Sequence, residues 1–335
     1  MNQLRIDCTY LVTGAAGFVG LHVAKRLLEL GARVIGYDNM NDYYSVSLKD
    51  SRVSELKKHD GFVFVRADLS DKPALDSVFS QYNPSVVIHL AAQAGVRYSL
   101  ENPMAYVQSN LVGFVNILEC CRHNQVEHLL YASSSSVYGA NKKLPFSVDD
   151  RVDNPVSLYA ATKKSNELLA YTYSHTFGLA TTGLRFFTVY GPWGRPDMAP
   201  FLFLGAIERG EPIKVFNNGE MMRDFTYVDD VTEGILSLVE NSAAVHAKTK
   251  EPPYKVYNIG NNKPEKLMDF ISIIEELTGK TAVKEFLPMQ QGDVPATYAD
   301  IDELTQDTGF VPKTSLKSGL GMFYGWWIEY YGENK

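Results

Sequence analysis

The 335-residue chain has almost no cysteine: Cys8, Cys120 and Cys121 are its only three. Their spacing suits neither a disulfide framework nor a metal site. Two are neighbours inside a helical pattern, so they read as buried thiols in a reducing cytoplasm. No stretch of about 18 or more apolar residues appears, and the N-terminus lacks a basic flank followed by an apolar run. Neither a membrane span nor an export signal is expected. There is no dense run of Lys and Arg, and a formal net charge of −7 argues against a nucleic-acid partner. An anionic ligand would need locally placed arginines rather than a general positive field. The histidines, His22 and His89 among them, have no partners at ligand spacing, so no metal site is expected. No repeat of about 20–50 residues and no low-complexity tract is visible.

What is present fits a soluble globular protein, too long for one usual core and therefore expected to form two lobes. Strand patterns fall at Thr9–Thr13, Arg33–Tyr37, Phe62–Arg66, Ser85–Leu90, His128–Ser133 and Ala180–Phe186, with helical patterns near 18–30, 72–81, 103–123 and 155–177. Continuous apolar strands separated by amphipathic helices imply a parallel sheet covered on both faces. The fold class expected is α/β, a doubly wound Rossmann sheet over 1–187, with a smaller α+β substrate lobe over 188–335. Part of 226–262 is expected to pack back on the first lobe. In the second half, helical patterns recur near 198–209, 228–240, 266–278 and 315–331. Tyr254–Ile259 is the best strand there, and 241–254 reads as a polar loop.

Gly14-Ala-Ala-Gly17-Phe18-Val19-Gly20 lies between the first strand and the first helix. Glycines there permit a tight turn and let backbone N–H groups approach a pyrophosphate at the helix N-terminus. Asp38 follows eighteen positions past Gly20, at the end of strand two. An acidic residue there binds a ribose 2′-hydroxyl and repels a 2′-phosphate, and neighbouring Asn39 and Met40 offer no cation, so NAD is favoured over NADP. Asp68 and Leu69, ending strand three, are placed to border the adenine, and Asp68 also reads as a helix N-cap. Leu90-Ala91-Ala92-Gln93, after strand four, has small residues suited to close approach by the cofactor.

Tyr159 and Lys163 stand four apart on one helical face, with Asn154-Pro155 as the expected cap and first turn and Gly178 as the stop. A Tyr hydroxyl is a poor base near neutrality, and an ammonium held beside it favours the phenolate. Strand five ends in Ser133-Ser134-Ser135-Ser136-Val-Tyr138-Gly139, at the sheet edge where α/β ligands sit.

With the glycine loop, Asp38, the serine run and the Tyr159/Lys163 pair, the chain resembles the extended short-chain dehydrogenase/reductase family over nearly its full length. Within it, the chain is similar to nucleotide-sugar 4-epimerases. The resemblance makes Tyr159 the acid/base, and Lys163 its tuning group and a ligand of the nicotinamide ribose. Ser134, four before the Tyr-Gly pair, would bond the sugar's reacting oxygen, with Ser136 the second choice. The serine run lacks the acidic residue typical of family dehydratases and decarboxylases. Thr188, where galactose epimerases usually have Asn, and the following Gly-Arg195-Pro-Asp resemble the UDP-glucuronate 4-epimerase subgroup.

A C6 carboxylate needs a donor and a fixed cation, and Arg195 supplies both. Its competing reading is a surface or lobe-bridging arginine. By the same resemblance Arg223 grips the UDP pyrophosphate, its other reading being an ion pair with Asp224 or Asp229. Asp293 and Tyr298 belong to a segment closing over the nucleotide, and Gln290 stands near an arginine of the galactose enzymes. Lys214 and Phe216 would line the uracil pocket, and Arg97 would lie near the sugar. Asn110 would contact cofactor or sugar, or cap a helix turn, and Phe187 would border the cofactor.

The implied activity is NAD-dependent interconversion of UDP-glucuronate and UDP-galacturonate. Other readings are a UDP-glucose or UDP-N-acetylhexosamine epimerase, a UDP-glucuronate decarboxylase, or, from another class, a non-catalytic NAD-sensing protein. Implied too are a homodimer built on a four-helix interface from 103–123 and 155–177, and a product destined for surface polysaccharide.

Overall fold

Four of the five residues of β1 (Thr9–Thr13) are buried, as a strand covered on both faces requires. The computed structural model describes residues 4–247, 252–290 and 294–332. After β1 come α1 (Phe18–Glu29), β2 (Arg33–Asp38), α2 (Val46–Leu56), β3 (Phe62–Arg66), α3 (Lys72–Tyr82) and β4 (Val86–His89). Short helices α4 (Tyr98–Glu101) and α5 (Pro103–Tyr106) lead through a π-helical stretch, Val107–Val112, into α6 (Gly113–His123). β5 (His128–Ser134), α7 (Leu158–Phe177) and β6 (Thr181–Phe186) complete the first half. The second half runs β7 (Thr188–Tyr190), α8 (Ala199–Arg209), β8 (Ile213–Phe216), β9 (Met222–Tyr227), α9 (Val228–Glu240), α10 (Ser242–Ala247), β10 (Tyr254–Ile259), β11 (Pro264–Lys266), α11 (Leu267–Thr278), β12 (Lys284–Leu287), α12 (Asp302–Thr308) and α13 (Leu316–Gly332).

Seven strands form one parallel sheet in the order β10-β6-β5-β4-β1-β2-β3. The winding direction reverses between β1 and β4, so a crevice opens at their carboxyl ends. β10 returns from the second half of the chain to pair with β6, and α9 lies against α1. The remaining strands make a three-stranded sheet, β11-β9-β7, and a β12-β8 pair. Those pack with α8, α11 and α13 around a separate core containing Phe225, Phe270, Phe323 and Trp327.

Three local expectations are corrected. α7 starts at Leu158 and is capped by Ser157, whose Oγ accepts from the Ala160 N–H at 3.1 Å. Asn154 and Pro155 instead crowd Gly139, where a Cβ would come within 2.1 Å of the Asn154 carbonyl oxygen. The stretch 103–123 is not one regular helix. The Asn110 carbonyl accepts from Asn166 Nδ2 at 2.6 Å within the π-helical turns. Such a side chain inserted into the backbone ladder is a usual cause of local widening. Within 241–254, Ser242–Ala247 is helical rather than loop.

Candidate active site

At the mouth between β1 and β4, Gly14 has φ +74° and a Cβ there would lie 2.7 Å from the Ala91 nitrogen. Gly20 brings α1 so close that a Cβ would fall 1.9 Å from the Gly14 carbonyl oxygen. Gly17 caps α1 without a side-chain bond, and the Gly17 N–H donates to Gly14 O at 2.8 Å. The first turn of α1, opening with Phe18 and Val19, therefore presents backbone N–H groups to the crevice, as a phosphate site requires. Leu90, Ala91 and Ala92 form the opposite lip, half-buried, with the Ala91 N–H on Thr13 Oγ1 at 3.2 Å.

Asp38 closes this cradle. Its carboxylate accepts from Ala16 N–H at 3.2 Å and Met40 N–H at 2.8 Å. Burial pushes its pKa up, against the pull of those two bonds and of Lys49 and Arg52. Both cations lie on α2, a helix that the sequence patterns did not single out. Asn39 Nδ2 donates to Asp68 at 2.7 Å, and Asp68 also accepts from the Ser70 N–H and hydroxyl. Asp68 is thus no helix cap. Asp71 caps α3, accepting from Ala74 at 3.1 Å. The Leu69 carbonyl accepts from Asn116. Asn110 binds Gln93 through both main-chain groups, at 2.8 and 3.0 Å, and reaches Thr162 on α7. A cradle of close-packed glycines, an uncapped helix start and an acid at the end of β2 together fit a dinucleotide.

The β5 terminus and α7 bring the reactive groups together. Ser134 ends β5, and its Oγ accepts from the Ser136 N–H at 3.1 Å. Desolvation raises the Tyr159 pKa, and neighbouring Ser134 and the Arg195 charge pull it down. Lys163 is buried, and its Nζ donates to the Ala132 carbonyl at 2.8 Å. Burial lowers its pKa to about 8. At Tyr159 desolvation outweighs both influences, and the phenol lies above its ordinary value.

Ser133 turns away, donating to Glu167 Oε1 at 2.7 Å. Glu167 also takes two bonds from Arg185, whose other arm reaches the Tyr138 hydroxyl at 3.1 Å. This buried network, which locks β5, β6 and α7 to one another, was not foreseen from the sequence. The Tyr106 ring stands edge-on to Tyr159 with centroids 6.2 Å apart. His89 bonds Thr13 at 2.8 Å, and burial holds it neutral with a pKa near 3.

On the second-lobe side, Thr188 starts β7, partly buried, and Phe187 is buried against Tyr138 and Phe146. Arg195 is engaged by a carboxylate of its own chain: Nε and Nη2 meet Asp197 at 3.0 and 2.5 Å. Asp197 accepts a third bond from the Tyr43 hydroxyl at 3.0 Å. Arg97 lies over the Phe216 ring at 5.6 Å, and exposed Lys214 shares the strand face of Phe216.

Arg223 donates to the Met222 and Pro295 carbonyls at 2.9 and 3.3 Å. Asp224 serves the Asn261 and Ala299 N–H groups, and Asp229 faces His22. The Gln290 side-chain oxygen is buried, with no hydrogen-bond partner among the described residues. The Tyr298 carbonyl accepts from the Phe146 N–H. Asp293 lies outside the described residues. Among the described residues, no group of His, Cys, Asp and Glu could hold a metal ion.

The sequence model of the NAD dependent epimerase/dehydratase family matches residues 10–260. Protein CapI of Staphylococcus aureus is 54% identical over 330 residues, spanning 96% of this chain and 98% of that protein. UDP-glucuronate 4-epimerase 4 of Arabidopsis thaliana is 48% identical over 336 residues, spanning 98% of this chain and 77% of that protein. Among solved structures, UDP-glucuronic acid 4-epimerase from Bacillus cereus in complex with UDP-glucuronic acid and NAD superimposes with a TM-score of 0.88. It is 34% identical, covering 96% of this chain and 100% of that one.

Proposed function

This chain belongs to the NAD dependent epimerase/dehydratase family, and from that premise we propose that it is a 4-epimerase interconverting UDP-glucuronate and UDP-galacturonate. One observation carries the substrate: the Arg195–Asp197 pair is joined through Tyr43 to a row of rings, Tyr98, Tyr106 and Tyr159, so the guanidinium and the phenol belong to one crevice. An acid/base and a carboxylate-binding cation in one crevice fit a sugar that carries its charge at C6.

Gly14, Gly17 and Gly20 with the first turn of α1 would hold the NAD pyrophosphate, and Asp38 the adenosine ribose. NAD, when bound, supplies the hydride acceptor and donor for C4. Tyr159, whose ionised form Lys163 and Arg195 support as the nearby cations, takes the C4 hydroxyl proton, and Ser134 donates to the same oxygen. The 4-keto sugar then turns about its link to the diphosphate, which Arg223 grips. Tyr159 returns the proton to the other face. The nucleotide anchors the intermediate, so remote binding energy positions the reacting carbon.

The 4-keto acid is a β-keto acid and loses CO2 if its carboxyl carbon bond aligns with the carbonyl π system. Arg195 and Thr188 hold the carboxylate out of that alignment. The substrate carboxylate must share or replace Asp197 on the Arg195 fork. That existing pair is also the observation favouring a second reading, in which the sugar is neutral at C6. Incubating the protein with UDP-glucuronate and, separately, with UDP-glucose, without added NAD, and resolving the products by NMR decides. UDP-galacturonate from the first supports the proposal. Turnover of UDP-glucose alone supports the second reading, and pentose with CO2 would replace epimerisation by decarboxylation.

The same reading extends to assembly and location. Leu168, Tyr171 and Phe177 leave apolar side chains on the surface of α7, and Val112 does so beside α6. Two copies pairing these helices form a four-helix interface, and light scattering on the purified protein would return a dimer mass. No described helix is long and apolar enough to cross a membrane. The buried free thiols Cys8, Cys120 and Cys121 suit the cytoplasm.

A further inference from the structure

Arg52 on α2 is fully buried, yet all four of its hydrogen bonds go to neutral oxygens. Nη1 donates to the Ala16 carbonyl at 3.0 Å and to the Tyr44 hydroxyl at 2.6 Å. Nη2 donates to two successive carbonyls, Trp193 at 2.6 Å and Gly194 at 3.0 Å, and Nε finds no acceptor among the described residues. Its charge also acts on the Asp38 carboxylate, but two of its four hydrogen bonds grip the turn, which no apolar side chain in that space could do.

That turn is strained. Trp193 has φ +60° and Gly191 φ +147°. A bulky aromatic residue stays in the left-handed region only where its surroundings over-determine it. The Trp193 ring is fixed by Trp326 and Tyr330, with centroids 5.3 and 5.1 Å away, and its carbonyl by Arg52. Arg195 is two residues further on.

A second tether comes from the same insertion between β2 and β3. Tyr43 donates to Asp197 at 3.0 Å, and Asp197 holds both arms of Arg195. Tyr43 is itself placed against the Tyr98 ring, at 4.8 Å. Gly95 leaves it room, since a Cβ there would come 2.5 Å from the Tyr43 hydroxyl.

We propose that Arg52 and Tyr43 are positioning residues that set the turn 191–197 so that Arg195 meets the sugar's C6 carboxylate. The other arm of Arg52 holds Ala16 of the phosphate loop, so the turn is registered against the cofactor cradle. Neither residue touches the reacting atoms. The inference rests on the reading of Arg195 as the carboxylate's partner.

The test is competition calorimetry on NAD-loaded full-length protein, measuring dissociation constants for UDP-glucuronate and UDP-glucose and taking their ratio. Arg195→Ala is the control for the underlying reading and shifts the ratio against glucuronate. Arg52→Met shifts it the same way by about tenfold, the scale of one charge-assisted hydrogen bond lost indirectly; any loss from the cofactor cradle falls on both ligands and cancels in the ratio. Arg52→Lys recovers part of the loss, because a single ammonium cannot reproduce the fixed fork. Tyr43→Phe shifts the ratio by about threefold, the scale of one neutral hydrogen bond, and decides alone if Arg52→Met fails to fold.

If Arg195→Ala shifts the ratio while Arg52→Met and Tyr43→Phe weaken both ligands equally, or neither, the positioning role is overturned. A ratio unmoved by Arg195→Ala overturns the carboxylate reading itself, and this inference with it.

Discussion

Glu167 on α7 accepts from Nε and Nη2 of Arg185 on β6, at 2.8 and 2.9 Å, with both side chains almost wholly withdrawn from water. The pair also fixes Ser133, the residue before Ser134, so the geometry of the β5 terminus depends on it. Removing one partner leaves an uncompensated buried charge. Glu167→Ala should therefore cost about 3–5 kcal/mol of stability in denaturant titration. The Glu167 pKa is lowered, chiefly by the Arg185 bond and charge acting against desolvation. Its contribution is therefore full above a pH of about 4.5 and is lost as pH falls through the depressed folded value. A midpoint in the variant that matches the parent at neutral pH would contradict this.

Ser134 should act through the Tyr159 pKa. The phenol already sits above its ordinary value, and Ser134 is one of the two influences pulling it down. In Ser134→Ala the phenolate becomes harder to form, so the alkaline-rising limb of kcat/KM moves to higher pH. A limb at the parental pH in Ser134→Ala, together with an unchanged rate, would remove Ser134 from the site.

The central sheet was legible because each strand is a short apolar run with turn residues at both ends, and periodicity reports that directly. β10 was visible for the same reason, as Tyr254–Ile259. α2 was not. Its sequence, Val-Ser-Leu-Lys-Asp-Ser-Arg-Val-Ser-Glu-Leu, buries Lys49 and Arg52 along with its leucines, so its inward face does not read as apolar. Ser157 rather than Asn154 caps α7, and the Asn154 main-chain carbonyl instead lies against Gly139 and accepts from the Ala140 N–H, a tertiary contact at odds with the local preference.

In the site, local spacing pointed to Tyr159, Lys163 and the serine run. The partners that set their charge come from far along the chain. Asp197 is near Arg195 in sequence, but Tyr43 and Arg52 reach the turn across 154 and 141 or more positions. Nothing in a linear pattern announces such contacts.

Gly14 and Gly20 should be irreplaceable for cofactor retention. A Cβ at Gly14 would sit 2.7 Å from the Ala91 nitrogen on a backbone with φ +74°, and one at Gly20 would overlap the Gly14 carbonyl. The left-handed conformation alone costs an alanine ~1–3 kcal/mol, so Gly14→Ala should lower NAD affinity by about tenfold or more. The dinucleotide released on denaturing the purified protein, quantified by chromatography, measures this. Parental NAD content in Gly14→Ala would mean that the loop does not form the cradle.

Lys163 should cost stability at the pH where the enzyme works. Burial lowers its pKa from 10.5 to about 8, and among the described residues its one hydrogen bond goes to the Ala132 carbonyl. A base whose folded pKa lies below its unfolded value destabilises the fold while it remains charged. Below about pH 8 the penalty is complete, and it is relieved as pH rises from about 8 towards 10.5, because the unfolded chain then holds the extra proton. Lys163→Met keeps the length of the side chain and removes the charge. Its loss of the Ala132 bond offsets part of the gain, so at pH 7 the cofactor-free variant should be more stable by roughly 2 kcal/mol. Turnover should fall in the same variant by about 100-fold or more, the scale of a lost general acid–base partner. Thermal unfolding of parent and variant at pH 7 and pH 10 tests the sign directly. The advantage of Lys163→Met should shrink at the higher pH. An advantage that grows there, or a variant less stable at pH 7, would show that the ammonium is stabilised by more than the Ala132 carbonyl.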